Sequence, residues 1–270
     1  MRWIITTILT YLYGIVATIV ASAVAMIIAL LGDRKGRFWW PVSRYWSYGL
    51  LKAGGVTHLH VEGIEHIRDT DSGGILMSNH ESHLDPPTFI YLSKNYPLHF
   101  LVKHTLFYFP IFGQSLWAMG HIYINRSNRA NAFYSLERAS QSIANGKRIY
   151  VFPEGTRSRK GELLPFKKGG FHLAIKAKVP IFPAAIAGTK EILPPGWTNK
   201  GAGPVVVIFG APIPTDQYSR GDKDKLLSLV YNQISELRQK AHQIRQNMLL
   251  SEKNKYSIGY FKKTGTNRNN

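Results

Sequence analysis

Apolar and polar positions divide this chain into three regimes. From Trp3 to Leu31, 29 residues pass without one Asp, Glu, Lys or Arg. A membrane-spanning helix needs about 20 apolar residues. As a helix this run reaches roughly 43 Å, more than the ~30 Å hydrocarbon core. It can span with tilt, or span partly and dock on the rest of the protein. Ala21-Ser22-Ala23 and Ala23-Val24-Ala25 resemble signal cleavage sites. The apolar run continues past them to Leu31, too far for a signal h-region of about 7–15 residues. Phe38, Trp39, Trp40, Tyr45, Trp46 and Tyr48 come next, among Arg34, Lys35, Arg37 and Arg44. Aromatics beside cations suit a headgroup-level segment, and a hydrophobic helix packed on the domain gives the same pattern. Residues 1–54 are therefore expected to be a helical, membrane-anchoring and interfacial segment.

From Gly73 the pattern changes to short apolar runs separated by helical stretches. Strands are predicted at 74–78, 98–102, 122–124, 148–152, 181–186 and 205–209. Helices are predicted near 88–95, 111–119, 129–145, 167–177 and 221–250. Continuous apolar strands alternating with helices predict an α/β domain over 55–250, with a mostly parallel sheet covered by helices on both faces and preceded by an N-terminal membrane helix. Residues 251–270 are polar and basic, and a mobile tail is expected there.

Charge sharpens this picture. Lys plus Arg number 34 against 16 acids, a net +18. Such a surplus calls for an anionic partner: nucleic acid, acidic headgroups, a phosphorylated substrate or an acidic protein. Nucleic acid fits poorly, because stacking aromatics should interleave with the cations, whereas here they cluster beside the apolar N-terminus. Cations after residue 32, opposed locally by Asp33 alone, place the domain on the cytoplasmic side. The absence of cysteine excludes a disulfide scaffold, a thiolate metal site and a thiol nucleophile.

Three loops could carry chemistry. In Ser78-Asn79-His80-Glu81-Ser82-His83-Leu84-Asp85-Pro86-Pro87, a strand ends at Ser78 and Asp85-Pro86 reads as a helix opening, with Asp85 as cap. Across that turn Asp85 can reach one nitrogen of His80, leaving the other as a general base. The plainer alternative is a capping Asp with an incidental loop His. His80-Glu81-Ser82-His83 lacks the spacing that puts two histidines on one helix face, so no metal site is expected. In Phe152-Pro153-Glu154-Gly155-Thr156-Arg157-Ser158, Arg157 suits a phosphate, Thr156 adds a hydroxyl and Gly155 allows close backbone approach. Glu154 could orient Arg157 or a substrate hydroxyl. Nine Lys or Arg against two Glu lie between Lys147 and Lys178. In Gly120-His121-Ile122-Tyr123-Ile124-Asn125-Arg126, Arg126 ends a strand and could equally be a surface cation.

Jointly these blocks, followed by Val179-Pro180-Ile181-Phe182-Pro183-Ala184, resemble the glycerolipid acyltransferase family, specifically the 1-acyl-sn-glycerol-3-phosphate (lysophosphatidic acid) acyltransferases. The resemblance covers about residues 60 to 210. It implies that His80 is a general base oriented by Asp85. It implies that Arg157, with Glu154, Gly155 and Thr156 and helped by Arg126, holds the acceptor's phosphate, and that Pro183 lines the acyl or acceptor site. It further implies acyl transfer from a thioester to an anionic lysophospholipid without metal or cofactor. The co-substrate would be acyl-CoA or acyl-carrier protein, and the setting a membrane, a bacterial inner membrane in this reading. Another lysolipid acceptor on the same fold, or a non-enzymatic basic membrane-binding module, are the competing expectations.

Overall fold

The computed structural model describes residues 2–68, 73–94, 96–124, 129–196 and 198–264. In chain order the elements are α1 (Arg2–Leu30), α2 (Trp39–Gly54), β1 (Val56–Glu62), α3 (Glu65–Arg68), β2 (Gly74–Ser78), α4 (Asp85–Leu92) and β3 (Leu98–Lys103). A 3-10 turn (His104–Tyr108), α5 (Phe112–Ala118), β4 (Ile122–Ile124), α6 (Arg129–Ala144), β5 (Arg148–Val151) and α7 (Gly169–Ala177) are next. Then come β6 (Ile181–Ala187), α8 (Thr189–Ile192), β7 (Gly203–Phe209), a second 3-10 turn (Arg220–Asp222) and α9 (Lys223–Thr264).

The strands form one sheet in the order β1-β7-β6-β2-β5-β3-β4. Every pairing is parallel except β6 with β7. All residues of β2, β5, β6 and β7 are buried. Each side chain finds cover because alternate residues serve opposite faces. Leu76, Tyr150, Phe182 and Val207 pack with Trp39, Trp40 and Phe89 from α2 and α4. Ile75, Met77, Ile149 and Ile181 pack with Ile143 of α6, Leu173 of α7 and Val230 of α9. The predicted α/β class holds. The strand at 56–62 was not expected; it lies at a sheet edge with six of its seven residues at least partly exposed, so it lacks a continuous apolar run.

α1 lies against the domain. Thr10 donates to the carbonyl of Ala53 at 2.9 Å, and Thr7 accepts from the backbone N–H of Asn199 at 3.2 Å. The Trp46 indole of α2 donates to Thr18 at 3.0 Å. The opposite side of α1, with Ile8, Leu12, Val16 and Val20, is exposed. Thr7–Leu30 is long and apolar enough to cross a membrane. At the other end of the chain, α9 continues to Thr264, past residue 251 where a mobile tail was expected.

Candidate active site

β6, β2 and β5 are neighbours running the same way, so their carboxyl ends share one edge. That is where α/β proteins build ligand sites. The loop after β2 carries His80, the loop after β5 carries Glu154 to Arg157, and β6 leads into Gly188-Thr189. Sheet order thus joins blocks that are far apart in sequence. Asn79 fastens the join: its amide donates to the carbonyl of Ile186 and accepts from the same residue's N–H, both at 2.9 Å.

His80 Nδ1 lies 2.8 Å from Asp85 Oδ2. Asp85 is fully buried. Its Oδ2 also accepts from the backbone N–H groups of Glu81 at 2.7 Å and Ser82 at 2.8 Å, and its Oδ1 accepts from the Thr189 hydroxyl at 2.6 Å. These donors replace the water that burial removes. With the imidazole proton held on Nδ1, the lone pair sits on Nε2. Phe152 stacks on the ring with centroids 3.7 Å apart, fixing its plane.

Asp85 is the first residue of α4 rather than its cap. The reason lies in the next residues. Pro87 has no N–H to offer a capping carboxylate, and the N–H of Thr88 already donates to the carbonyl of Leu84. The side chain therefore turns back into the loop.

Glu154 departs from the expectation that it faces substrate. It is buried, and its two oxygens accept from the backbone N–H groups of His80 at 2.7 Å and Leu164 at 2.9 Å. It clamps the two loops together, and the Ser158 N–H adds a bond of 2.8 Å to the His80 carbonyl. Burial pushes the Glu154 carboxyl up to about 7, against the pull of the two amides. Gly155, at φ +71°, makes the tight turn, its N–H donating to the Phe152 carbonyl at 3.0 Å. Thr156 beside it is exposed.

Arg157 is half-buried, and its Nη1 is buried with no hydrogen-bond partner among the described residues. Its charge reaches His83, which burial first and Arg157 second push down to about 4. A buried guanidinium N–H without a partner is costly and suits an anionic oxygen. Arg126 lies outside the described residues. Pro183 does not reach the site. It is buried in β6 on the face opposite Phe182 and Ala184, with its ring against Gly210, because strand alternation turns it toward α9.

A cavity of about 720 Å³ opens beside His80. Gly155, Thr156 and Phe152 share its wall with His80; Ala21 and Ala25 of α1, Trp40 of α2, Ile90 of α4 and Leu116 of α5 are among the others that line it. The size is ordinary for a small-molecule site, and the lining is mostly apolar. Among the described residues no cluster of His, Asp or Glu is arranged to hold a metal. His80 thus shares the cavity wall with Gly155 and Thr156, and Arg157 follows them in the same loop without lining the cavity.

Two contributors were not anticipated. Thr189 completes the Asp85 shell from 104 residues away. Arg238 of α9 reaches Glu81, its Nε 2.9 Å from Oε1, and also donates to the Gly161 carbonyl. Burial pushes Glu81 up to about 7, with Arg238 drawing it down. A lone acid next to the catalytic-type His was the one local sign of such a partner.

An acyltransferase family model matches residues 58–187. Over 219 residues the chain is 31% identical to the 1-acyl-sn-glycerol-3-phosphate acyltransferase of Saccharomyces cerevisiae, which spans 79% of this chain and 67% of that protein. It is 35% identical over 154 residues to the chloroplastic 1-acyl-sn-glycerol-3-phosphate acyltransferase BAT2 of Brassica napus, or 57% of this chain; it spans 44% of the length of that relative. The crystal structure of the 1-acyl-sn-glycerophosphate (LPA) acyltransferase PlsC from Thermotoga maritima superposes with a TM-score of 0.71 at 25% identity, over 87% of this chain and 96% of that one.

Proposed function

This chain belongs to the 1-acyl-sn-glycerol-3-phosphate acyltransferase family, and on that footing we propose that it moves a fatty acyl group from a thioester to the free sn-2 hydroxyl of 1-acyl-glycerol-3-phosphate, yielding phosphatidic acid. The observation that carries this reading is the His80–Asp85 couple, 2.8 Å apart, opening on an apolar cavity whose wall includes Gly155 and Thr156.

In this mechanism His80 Nε2 accepts the proton of the acceptor hydroxyl. The oxygen attacks the thioester carbonyl, the C–S bond breaks, and the proton leaves with the thiolate as free thiol. Asp85 holds the ring and balances the charge on the transient imidazolium. A thiolate leaves readily, so one oriented base with both substrates held in register suffices. The Arg157 Nη1 donor would meet the acceptor's phosphate, with Thr156 beside it, and the cavity would take an acyl chain. Neither metal nor cofactor is needed beyond the thioester, whether acyl-CoA or acyl-carrier protein. We place the protein at a membrane, a bacterial inner membrane in that setting, with its catalytic domain on the cytoplasmic side. The bare apolar side of α1 and the cations after residue 32 support that placement.

The test pairs lysophosphatidate with each donor and monitors thiol release. His80→Ala should abolish turnover while the protein stays folded and membrane-bound; full activity in that variant would sink the assignment. Arg157→Ala should raise the KM for acceptor far more than for donor. An unchanged acceptor KM would move phosphate binding elsewhere.

A further inference from the structure

Residues 104–118 separate the cavity from the outside of the protein. On the inner side Leu106, Phe112 and Leu116 line the cavity. On the outer side Tyr108, Phe109 and Trp117 are 77, 57 and 66% exposed, and Ile111 is 38% exposed. Single exposed apolar side chains need no explanation, but a cluster of aromatics this dense marks a surface that meets something apolar. The backbone accepts strain to display it. Ile111 sits at φ 67°, ψ −55°, and the Phe112 N–H donates to the Pro110 carbonyl at 2.7 Å. This is a γ-turn of the rare, strained hand, centred on a β-branched residue. Its effect is visible in the neighbours: Ile111 is turned outward while Phe112 enters the cavity wall. Gly113 is required here, since a Cβ would lie 2.1 Å from the Phe107 carbonyl oxygen.

The patch has an apolar neighbour. α5 packs along α1, whose outward side chains, Ile8, Leu12 and Val16 among them, are bare. Ala21 and Ala25 of α1 line the same cavity as Phe112 and Leu116. The seam between α1 and this segment is therefore flanked by bare apolar side chains on both elements and reaches the cavity that His80 lines. Tyr and Trp also suit the boundary between hydrocarbon and headgroups.

We propose that residues 106–117 form a membrane-embedded sill, with Tyr108, Phe109, Ile111 and Trp117 in the same leaflet as the outer face of α1, and that acyl chains enter the cavity from the bilayer along the seam between sill and α1. The occupant of the patch is bilayer hydrocarbon. The role of the seam rests on the acyl-transfer reading; the depth of the sill does not.

Because the chain contains no cysteine, single-site labels are unambiguous. Nitroxides are placed by Phe109→Cys, Val16→Cys and, far from the patch on an exposed loop, Asp216→Cys. The proteins are reconstituted in phosphatidylcholine–phosphatidylglycerol vesicles. Labels at 109 and 16 should be relaxed by oxygen and shielded from a water-soluble nickel chelate, and the label at 216 should show the reverse. A label at 109 that behaves like 216 while 16 stays shielded overturns the sill. Water exposure at all three positions overturns it together with the membrane placement. This readout requires no turnover, so an inactive protein would count against the acyl-transfer reading alone. For the seam, Tyr108→Ser/Phe109→Ser/Trp117→Ser should raise the KM for vesicle-borne lysophosphatidate about tenfold and leave a short-chain, water-soluble acceptor unaffected. Equal losses on both acceptors would overturn entry from the bilayer.

Discussion

Asp85 satisfies four donors with two oxygens, and this shell is the most consequential small-scale feature of the site. Asp85→Asn puts an amide N–H₂ where acceptors are needed, so it should lower kcat by about 10²–10⁴-fold with little change in either KM. Thr189→Val removes one donor to a charged group and should cost about 1.5–3 kcal/mol of stability; an unchanged melting temperature would contradict that role. Two desolvated groups make stability depend on pH with opposite signs. Glu154 sits at about 7 when folded and near an ordinary carboxylate value, about 4.3, when unfolded. The folded chain then holds a proton the unfolded chain has lost. This contribution is complete at acid pH and disappears as pH rises through 7. His121, pushed down by burial to about 4, contributes fully above about 6.5 and loses that contribution as pH falls through 4. In melting curves, Glu154→Gln should lose its deficit against the native protein as pH rises toward 7, and His121→Gln should lose its own as pH falls toward 4. Parallel curves would refute both assignments. His80 and Asp85 were legible in sequence because five positions across one turn restrict where they can be. The partners of Glu154 were not, since it binds backbone amides, which every residue carries.

Strands buried on both faces announce themselves, and an edge strand of mixed polar and apolar residues can escape notice. β2, β5, β6 and β7 lie in the sheet interior with every residue buried, and their continuous apolar runs matched the predicted spans closely. β1 at the edge mixes polar and apolar positions and was missed. Pro183 shows a different limit. Its place in a recognisable block suggested a lining residue, yet strand alternation alone decides which sheet face it serves, and that face lies away from the cavity. For the segment around α5, Gly113→Ala forces a Cβ into the Phe107 carbonyl. Expected consequences are a melting temperature lower by several degrees and a raised acceptor KM, both measurable on purified protein. A variant as stable as the native chain would show that the segment yields easily.

At the scale of the whole molecule, the +18 charge and the bare side of α1 would act together in the proposed function: one would draw anions, the other lipid. The proposed donor is polyanionic, so its KM should rise several-fold as salt is raised from about 0.05 to about 0.5 M, because screening shortens the reach of the protein's field. A salt-independent KM would place donor recognition in apolar contacts instead. Net charge and the N-terminal run were plain in the sequence; how α1 docks was not, since Asn199, which meets Thr7, lies 192 residues away. Distance along the chain also matters for when the site exists. Arg238 braces Glu81 and the Gly161 carbonyl from α9, whereas α1 leaves the ribosome well before it. On the proposed membrane placement and mechanism, a nascent chain would reach the lipid surface early and stay without its finished His80 loop until translation has passed residue 238, so order of synthesis itself would keep half-made copies silent.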